Sequence, residues 1–267
     1  MQRIISITLY FILNTLFSIG QENLFMDDFR LLKADKGWSL EFKDSCTGDW
    51  KNKWFLDGQK ATVINTPEGM VFKAGDIEES PYHGVLWTKK SFDGDVKIEY
   101  DFTRLDSIRN IWVNIIYIQA TGSGSGPYVQ DISQWNNLRE IPSMGTYFLN
   151  MDLLHISYAA YGSKAVPDGE DYIRVRRYSP ETGTGTLENT EIPPTQYNSG
   201  LFLPGVTYHI TIIKEGGMLY FHAECGNIKR LYSWDISKVK PVNKGRIGLR
   251  HMFTRTSRYA NFQVYAK

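Results

Sequence analysis

Two cysteines in 267 residues, far apart at Cys46 and Cys225, are too few for a disulfide framework. A single bridge and a pair of free thiols both stay open: Cys46 lies in a loop sequence (DSCTGDW) and Cys225 at a hairpin tip (AECGN). No Cys/His spacing has the form of a zinc site. An excess of either charge is missing too. Lys and Arg number 30 against 29 Asp and Glu, a net charge of +1. That argues against a general binder of nucleic acid or of membrane surfaces, so any attraction for an acidic ligand is local. No segment keeps a helical period over three turns. There is no Gly-rich phosphate loop between a strand and a helix, and no G-x-S-x-G elbow.

An apolar run opens the chain. Arg3 gives residues 1–20 a positive start, Ile4 to Phe17 is almost wholly apolar, and Ser18-Ile19-Gly20 supplies small residues for cleavage. This is the pattern of a secretory signal peptide, too short for a membrane span. The expected mature chain begins near Gln21, is secreted or periplasmic, and forms one domain over 21–267 without a membrane span. A chain of this length buries about 70–75% of its unfolded surface and needs no staple.

The rest of the chain is dominated by strand patterns. Trp38 to Phe42, Ala61 to Asn65, Gly69 to Lys73, Val85 to Lys89 and Asp95 to Arg104 are separated by turn signals such as Phe92-Asp93-Gly94. Ile111 to Gln119 is a near-continuous apolar run, the mark of a strand buried on both faces. Asn114 is its strongly polar interior residue and shares a face with Trp112, so it either ties the sheet together or lines a cleft floor. Asp131 to Arg139 predicts a short helix capped by Asp131 or Ser133. Ser179 to Gly200 reads as a long loop without periodicity, either a rim of a binding site or a surface excursion. Val206 to Lys214, Met218 to Cys225 and Lys229 to Ser233 form a meander, and Gly245 to Phe253 and Tyr259 to Tyr265 close the chain. This spacing predicts an all-β sandwich.

Met144 to Tyr178 carries the chemistry. His155 and Ser157 alternate with Leu154, Ile156 and Tyr158, while Tyr172, Arg174, Arg176 and Tyr178 alternate with Ile173 and Val175. Period-2 alternation puts His, Ser, Tyr and two Arg on one face of a strand pair. That set suits an anionic or hydroxyl-rich ligand; a polar face satisfied by its neighbours is the alternative. His209 and His222, flanked by apolar residues, read as satisfied sheet histidines, and His83 could rim a cleft.

The ending Gly245-Arg-Ile-Gly-Leu-Arg250-His251, with Arg255, Arg258-Tyr259-Ala-Asn261-Phe262 and the earlier His155-Ile-Ser157-Tyr158, resembles the domain-of-unknown-function 1961 family. That family lies within the concanavalin A-like lectin/glucanase superfold. The resemblance spans about Asp27 to Tyr265 and implies a jelly-roll sandwich of two antiparallel sheets, one facing carbohydrate. Glucanases of the superfold carry three acids on one strand. Here Glu99 and Asp101 are followed by Thr103 and Arg104, so the paired carboxylates that retaining hydrolysis needs are incomplete. A lyase acting on a uronate chain needs charge neutralisation, a base and an acid. His155, Tyr158, Arg174 and Arg176 are the catalytic candidates, although Tyr158 lies one register off His155; Tyr161, Tyr172 and Tyr178 are alternative acids. Trp112, Asn114, Tyr172, Tyr178, Arg250, His251 and Arg255 are the expected binding residues. The expected ligand is an acidic polysaccharide or oligosaccharide held by a monomer. A non-catalytic binding module and a glycoside hydrolase remain the alternatives. No cofactor is required; a structural Ca2+ at Asp27 and Asp28 is a further expectation.

Overall fold

A computed structural model describes residues 25–79, 82–109, 113–163, 166–180 and 187–267. Residues 1–20, read above as a signal peptide, Gln21 and Trp112 lie outside the described residues. Two compact units divide the chain at Gly37 and Trp38. In the first, a helix α1 covers residues 25–34. Asp27 and Asp28 are successive residues of α1, and neighbours i and i+1 do not face each other on a helix. Asp27 is instead paired with Arg30 at 3.0 Å on the exposed surface. Among the described residues no group of three or more His, Cys, Asp and Glu is placed to hold a metal.

The second unit, Trp38–Lys267, is a sandwich of two antiparallel sheets. Sheet A contains β1 (Ser39–Asp44), β3 (Thr62–Thr66), β4 (Gly69–Lys73), β6 (Val96–Arg104), β11 (Thr207–Glu215), β12 (Met218–Cys225), β13 (Ile228–Asp235) and β15 (Thr256–Ala266). Sheet B contains β2 (Trp54–Asp57), β5 (His83–Asp93), β7 (Asn114–Gly122), β8 (Met151–Ser163), β9 (Val166–Tyr178), β10 (Glu191–Tyr197) and β14 (Lys244–Met252), in the order β10-β9-β8-β7-β14-β5-β2. Alternate residues of the two inner faces fill the core: Ile98, Tyr100 and Phe102 from β6 meet Ile116 and Ile118 from β7 and Ile156 and Tyr158 from β8. Each such aliphatic or aromatic side chain contributes about 1.5–3 kcal/mol on burial. Gly216 and Gly217, at φ +58° and +82°, make the β11–β12 turn that the Glu215-Gly-Gly sequence predicts. Cys46 and Cys225 are both free thiols.

Two elements differ from the sequence reading. Met144–Asn150 is a short helix, α2, because MGTYFLN lacks the alternation that begins at Met151. The short helix expected at Asp131 to Arg139 is present as a 3-10 helix, Ile132–Arg139, with Asp131 capping the Ser133 amide at 3.0 Å. Within the expected loop Ser179 to Gly200 lies β10, paired with β9 through Glu191, Ile192, Gln196 and Tyr197. Its Pro193 and Pro194 lack amide hydrogens, which an edge strand tolerates but which hides the strand pattern.

Candidate functional site

Sheet B has two buried faces. The one turned from sheet A carries a second apolar cluster, with Trp87, Tyr117, Tyr147, Trp135 and Tyr178. Asp57 anchors the segments over it. Its carboxylate accepts from Trp87 Nε1 at 2.7 Å, Asn136 Nδ2 at 2.6 Å, Arg139 Nε at 2.6 Å and Tyr147 Oη at 3.1 Å. The 3-10 segment and α2 are thereby tied down against β2 and β5.

Antiparallel register assembles the polar part of this outer face. His155 pairs with Arg176 and Tyr117, Ser157 with Arg174, and Leu153 with Tyr178. His155 Nδ1 lies 2.9 Å from Tyr178 Oη and its Nε2 lies 2.6 Å from Ser157 Oγ. On β14, Arg250 Nη1 donates to Tyr117 Oη at 2.6 Å and Nη2 lies 2.9 Å from His83 Nδ1. An arginine only donates, so His83 Nδ1 accepts and the ring carries its proton on Nε2. Burial and then the Arg250 charge hold His83 down to about 3. Burial, followed by the charges of Arg176, Arg250 and Arg174, holds His155 well below the usual histidine range. Both imidazoles are thus neutral. Burial raises the Tyr178 phenol, which stays protonated.

At the β10 edge the face approaches solvent. Arg174 Nε donates to Thr195 Oγ1 at 3.0 Å and lies 3.3 Å from Glu191. Arg176 Nη1 donates to Leu187 O at 2.5 Å and Thr190 Oγ1 at 2.9 Å, and Nη2 lies 3.8 Å from Glu191. Two guanidiniums therefore share one carboxylate. The Glu191 side chain is 33% exposed, against 13% for Arg176 and 9% for Arg174. The Arg174 guanidinium also rests 4.6 Å from the Tyr172 ring centre.

Two grooves lie apart from this edge. A groove of about 360 Å3, lined by Asp93, Asp152, Lys240 and Lys244 among others, adjoins a second of about 250 Å3 beside Asp131 and Arg246. Asp152 is three residues from His155 along β8, so the groove and the histidine occupy different stretches of one strand. The groove residues are largely paired, Lys244 with Gln130 at 3.0 Å and Arg246 with Asp131 at 2.8 Å.

His155, Ser157, Tyr172, Arg174, Arg176 and Tyr178 are thus gathered on or beside one face, as the alternation predicts, and Arg250 joins them from β14. Tyr158, Asn114 and His251 are not, and their assignment to the substrate site is corrected. All three are fully buried and face sheet A. Tyr158 Oη lies 3.4 Å from Tyr259 Oη; Asn114 Nδ2 lies 3.0 Å from Ser257 Oγ and 2.8 Å from His251 Nε2; His251 stacks on Phe72 at 4.3 Å. Tyr158 stands three residues from His155, an odd separation that turns the phenol to the other face of the strand. Arg255 is also fully buried, bonded to Asp106 Oδ1 at 2.5 Å and Ala159 O at 2.7 Å. His83 is 4% exposed, inside the face rather than on its rim. Glu99 and Asp101 stand on sheet A, where Asp101 bonds His209 at 2.8 Å and Asn261 at 2.7 Å. The sequence reading missed Tyr117, which the apolar run conceals, and Glu191, which lies in the proline-interrupted strand.

No protein-family model matches the chain, and no curated protein matches its sequence. Solved structures do match its fold. A Bacillus subtilis protein of unknown function with a galectin-like fold is 17% identical, covers 86% of this chain and 99% of its own, and superposes with a TM-score of 0.61. The exoplasmic/lumenal domain of VIP36, in a Ca2+/Man3GlcNAc-bound form, is 11% identical over 86% of this chain and 91% of its own, at a TM-score of 0.53. Lectin UEA-II complexed with galactose is 8% identical over 85% and 98%, at 0.52. The protein has a concanavalin-like jelly-roll fold of the galectin and legume-lectin kind.

Proposed function

We propose that the protein binds carbohydrate, and specifically an acidic chain whose carboxylate sits at the Arg174–Arg176 edge of the outer face of sheet B. The observation that carries this is the sharing of Glu191 by two guanidiniums, with Arg250 placed behind them across His155. A sugar carboxylate can take the place of Glu191 on these planar forks. The fold supports the sugar class, since VIP36 and lectin UEA-II are described with bound sugars. The test is calorimetry on matched acidic and neutral oligosaccharides. Arg174→Ala or Arg176→Ala removes charge-assisted bonds worth about 1.5–3 kcal/mol each, a loss of roughly 10–150-fold in affinity. Glu191→Gln, which removes the competing carboxylate, tightens binding. Absence of binding to every acidic chain refutes the reading.

One observation favours a second reading, β-elimination. A neutral His155 bonded to Tyr178 stands beside Arg176. With the uronate held by Arg174 and Arg176, His155 takes the proton on the carbon next to the carboxylate. The bond to the neighbouring glycosidic oxygen breaks, a carbon–carbon double bond forms, and Tyr178 gives its proton to the leaving oxygen. His155 is 2% exposed, so the Tyr117 and Tyr178 rings packed edge-on to it must move before a substrate reaches the imidazole. The readout is ultraviolet absorbance of an unsaturated uronate, with His155→Ala lowering turnover by ~10²–10⁴. Reducing ends without absorbance indicate hydrolysis, and binding without products indicates a non-catalytic module.

A further inference from the structure

Arg104 is the last residue of β6, and its side chain is fully buried. None of its three guanidinium nitrogens has a hydrogen-bond partner among the described residues. A guanidinium offers five N–H donors and no acceptor, so the entire donor set is unused. Its carbon lies 4.8 Å from the centre of the Tyr161 ring. Arg255, also fully buried, approaches the same ring at 5.7 Å. The carboxylate beside this pair is Asp106, which bonds Arg255 at 2.5 Å and is further occupied by the amides of Thr256 at 3.0 Å and Ile108 at 3.2 Å. Asp171, across the β8–β9 ladder from Tyr161, is engaged by Ser199 and by the Gly200 amide.

Among the described residues, Arg104 thus stands beside a second buried cation on the same ring and has no hydrogen bond. Taking an ion out of water costs several kcal/mol unless an opposite charge and hydrogen bonds replace the lost water. Each cation also raises the cost of the other: the Arg255 guanidinium is held below its ordinary value by burial, and the charge of Arg104 acts in the same direction against Asp106. A bound anion meets both demands at once, supplying charge to the pair and acceptors to the unused donors.

We propose that Arg104 and Arg255 form an oxyanion site, in which a carboxylate, sulfate or phosphate group accepts hydrogen bonds from the Arg104 guanidinium against the Tyr161 ring. Arg104 closes β6, Tyr161 stands on β8 and Arg255 immediately precedes β15, whereas the Arg174–Arg176 edge is built from β9 and β10, so the two sites use different residues. Tyr161 keeps 4% of its surface exposed where the two arginines keep none, so entry displaces its ring.

The experiment is a series of thermal melts at fixed ionic strength in chloride, adding sulfate, phosphate or free galacturonate. At least one raises Tm saturably, by roughly 5–10 °C at one hundred times its Kd. A tetrahedral anion acting alone, or galacturonate alone, identifies the source of the group. Arg104→Met abolishes the increment and, in chloride only, melts no lower than the wild type, because an uncompensated buried charge has been removed. Arg174→Ala retains the increment, which separates this site from the glycan site. Saturable stabilisation that persists in Arg104→Met overturns the proposal, as does the absence of saturation in the wild type. If Arg104→Met does not fold, Arg104→Lys decides: a Kd weakened at least tenfold supports the site, and an unchanged Kd overturns it.

Discussion

Lowering the pH from 6.5 to 5.5 removes about 3 kcal/mol of stability through three buried histidines, by proton linkage. Burial and Arg250 hold His83 at about 3, burial and Arg255 hold His251 at about 3, and burial with three guanidiniums holds His155 well below the normal range. Among the described residues, no carboxylate contributes to any of these shifts. In the unfolded chain each imidazole titrates near its ordinary value of about 6.5. The folded values are depressed, so the stabilisation is present above pH 6.5 and is lost as pH falls toward the folded values. Between pH 6.5 and 5.5 the unfolded state takes up protons that the folded state refuses, at about 1 kcal/mol per histidine. The total is a large fraction of the roughly 5–15 kcal/mol that holds an ordinary domain, and corresponds to a fall in Tm of about 6–12 °C. Thermal melts from pH 7.5 to 5.5 measure it, and calorimetry in buffers of different ionisation enthalpy counts the protons taken up on unfolding. Replacing His155 with Gln removes about one third of the slope. A stability that is flat to pH 5.5, or that falls only where carboxylates titrate, refutes the neutral, buried state of these rings.

Asp57→Ala leaves Arg139 buried without its partner and strips acceptors from Trp87, Asn136 and Tyr147; the expected loss is about 3–5 kcal/mol, read as a lowered denaturant midpoint. An unchanged midpoint would show that this carboxylate does not anchor the covering segments. Cys46 is fully buried and its thiol is pushed up to about 12 by burial and then Asp44, so a thiol reagent at pH 8 adds once to the native protein, at Cys225, and twice in denaturant. Rapid double labelling of the native protein, seen by intact mass, contradicts this. Gly245 has φ +138°, and a Cβ there would lie 2.3 Å from the Gln119 carbonyl carbon, so Gly245→Ala costs about 2–4 kcal/mol in chemical denaturation. A variant as stable as the wild type would mean that β7 and β14 separate easily at this point.

Much of the fold was legible because its strands alternate. Val96 to Arg104 and Thr207 to Glu215 declare an inner and an outer face residue by residue, and short turn signals separate them. The strand that escaped, Glu191–Tyr197, carries two prolines and so loses the pattern that reveals its neighbours. His155, Arg174, Arg176 and Tyr178 were likewise found on one face, because a period of two fixes which side chains share a side.

Which side of the sandwich each face meets was decided by tertiary structure. Asn114 and His251 looked like site residues, yet pairing places them between the sheets, on Ser257 and Tyr259. Arg250, one residue before His251, faces away from sheet A and donates to Tyr117. Sequence determines alternation along a strand, which is a local property of the extended backbone. Strand order, the segments covering sheet B and the confinement of Arg104 beside Arg255 depend on contacts between residues far apart in the chain, and only folding brings those together.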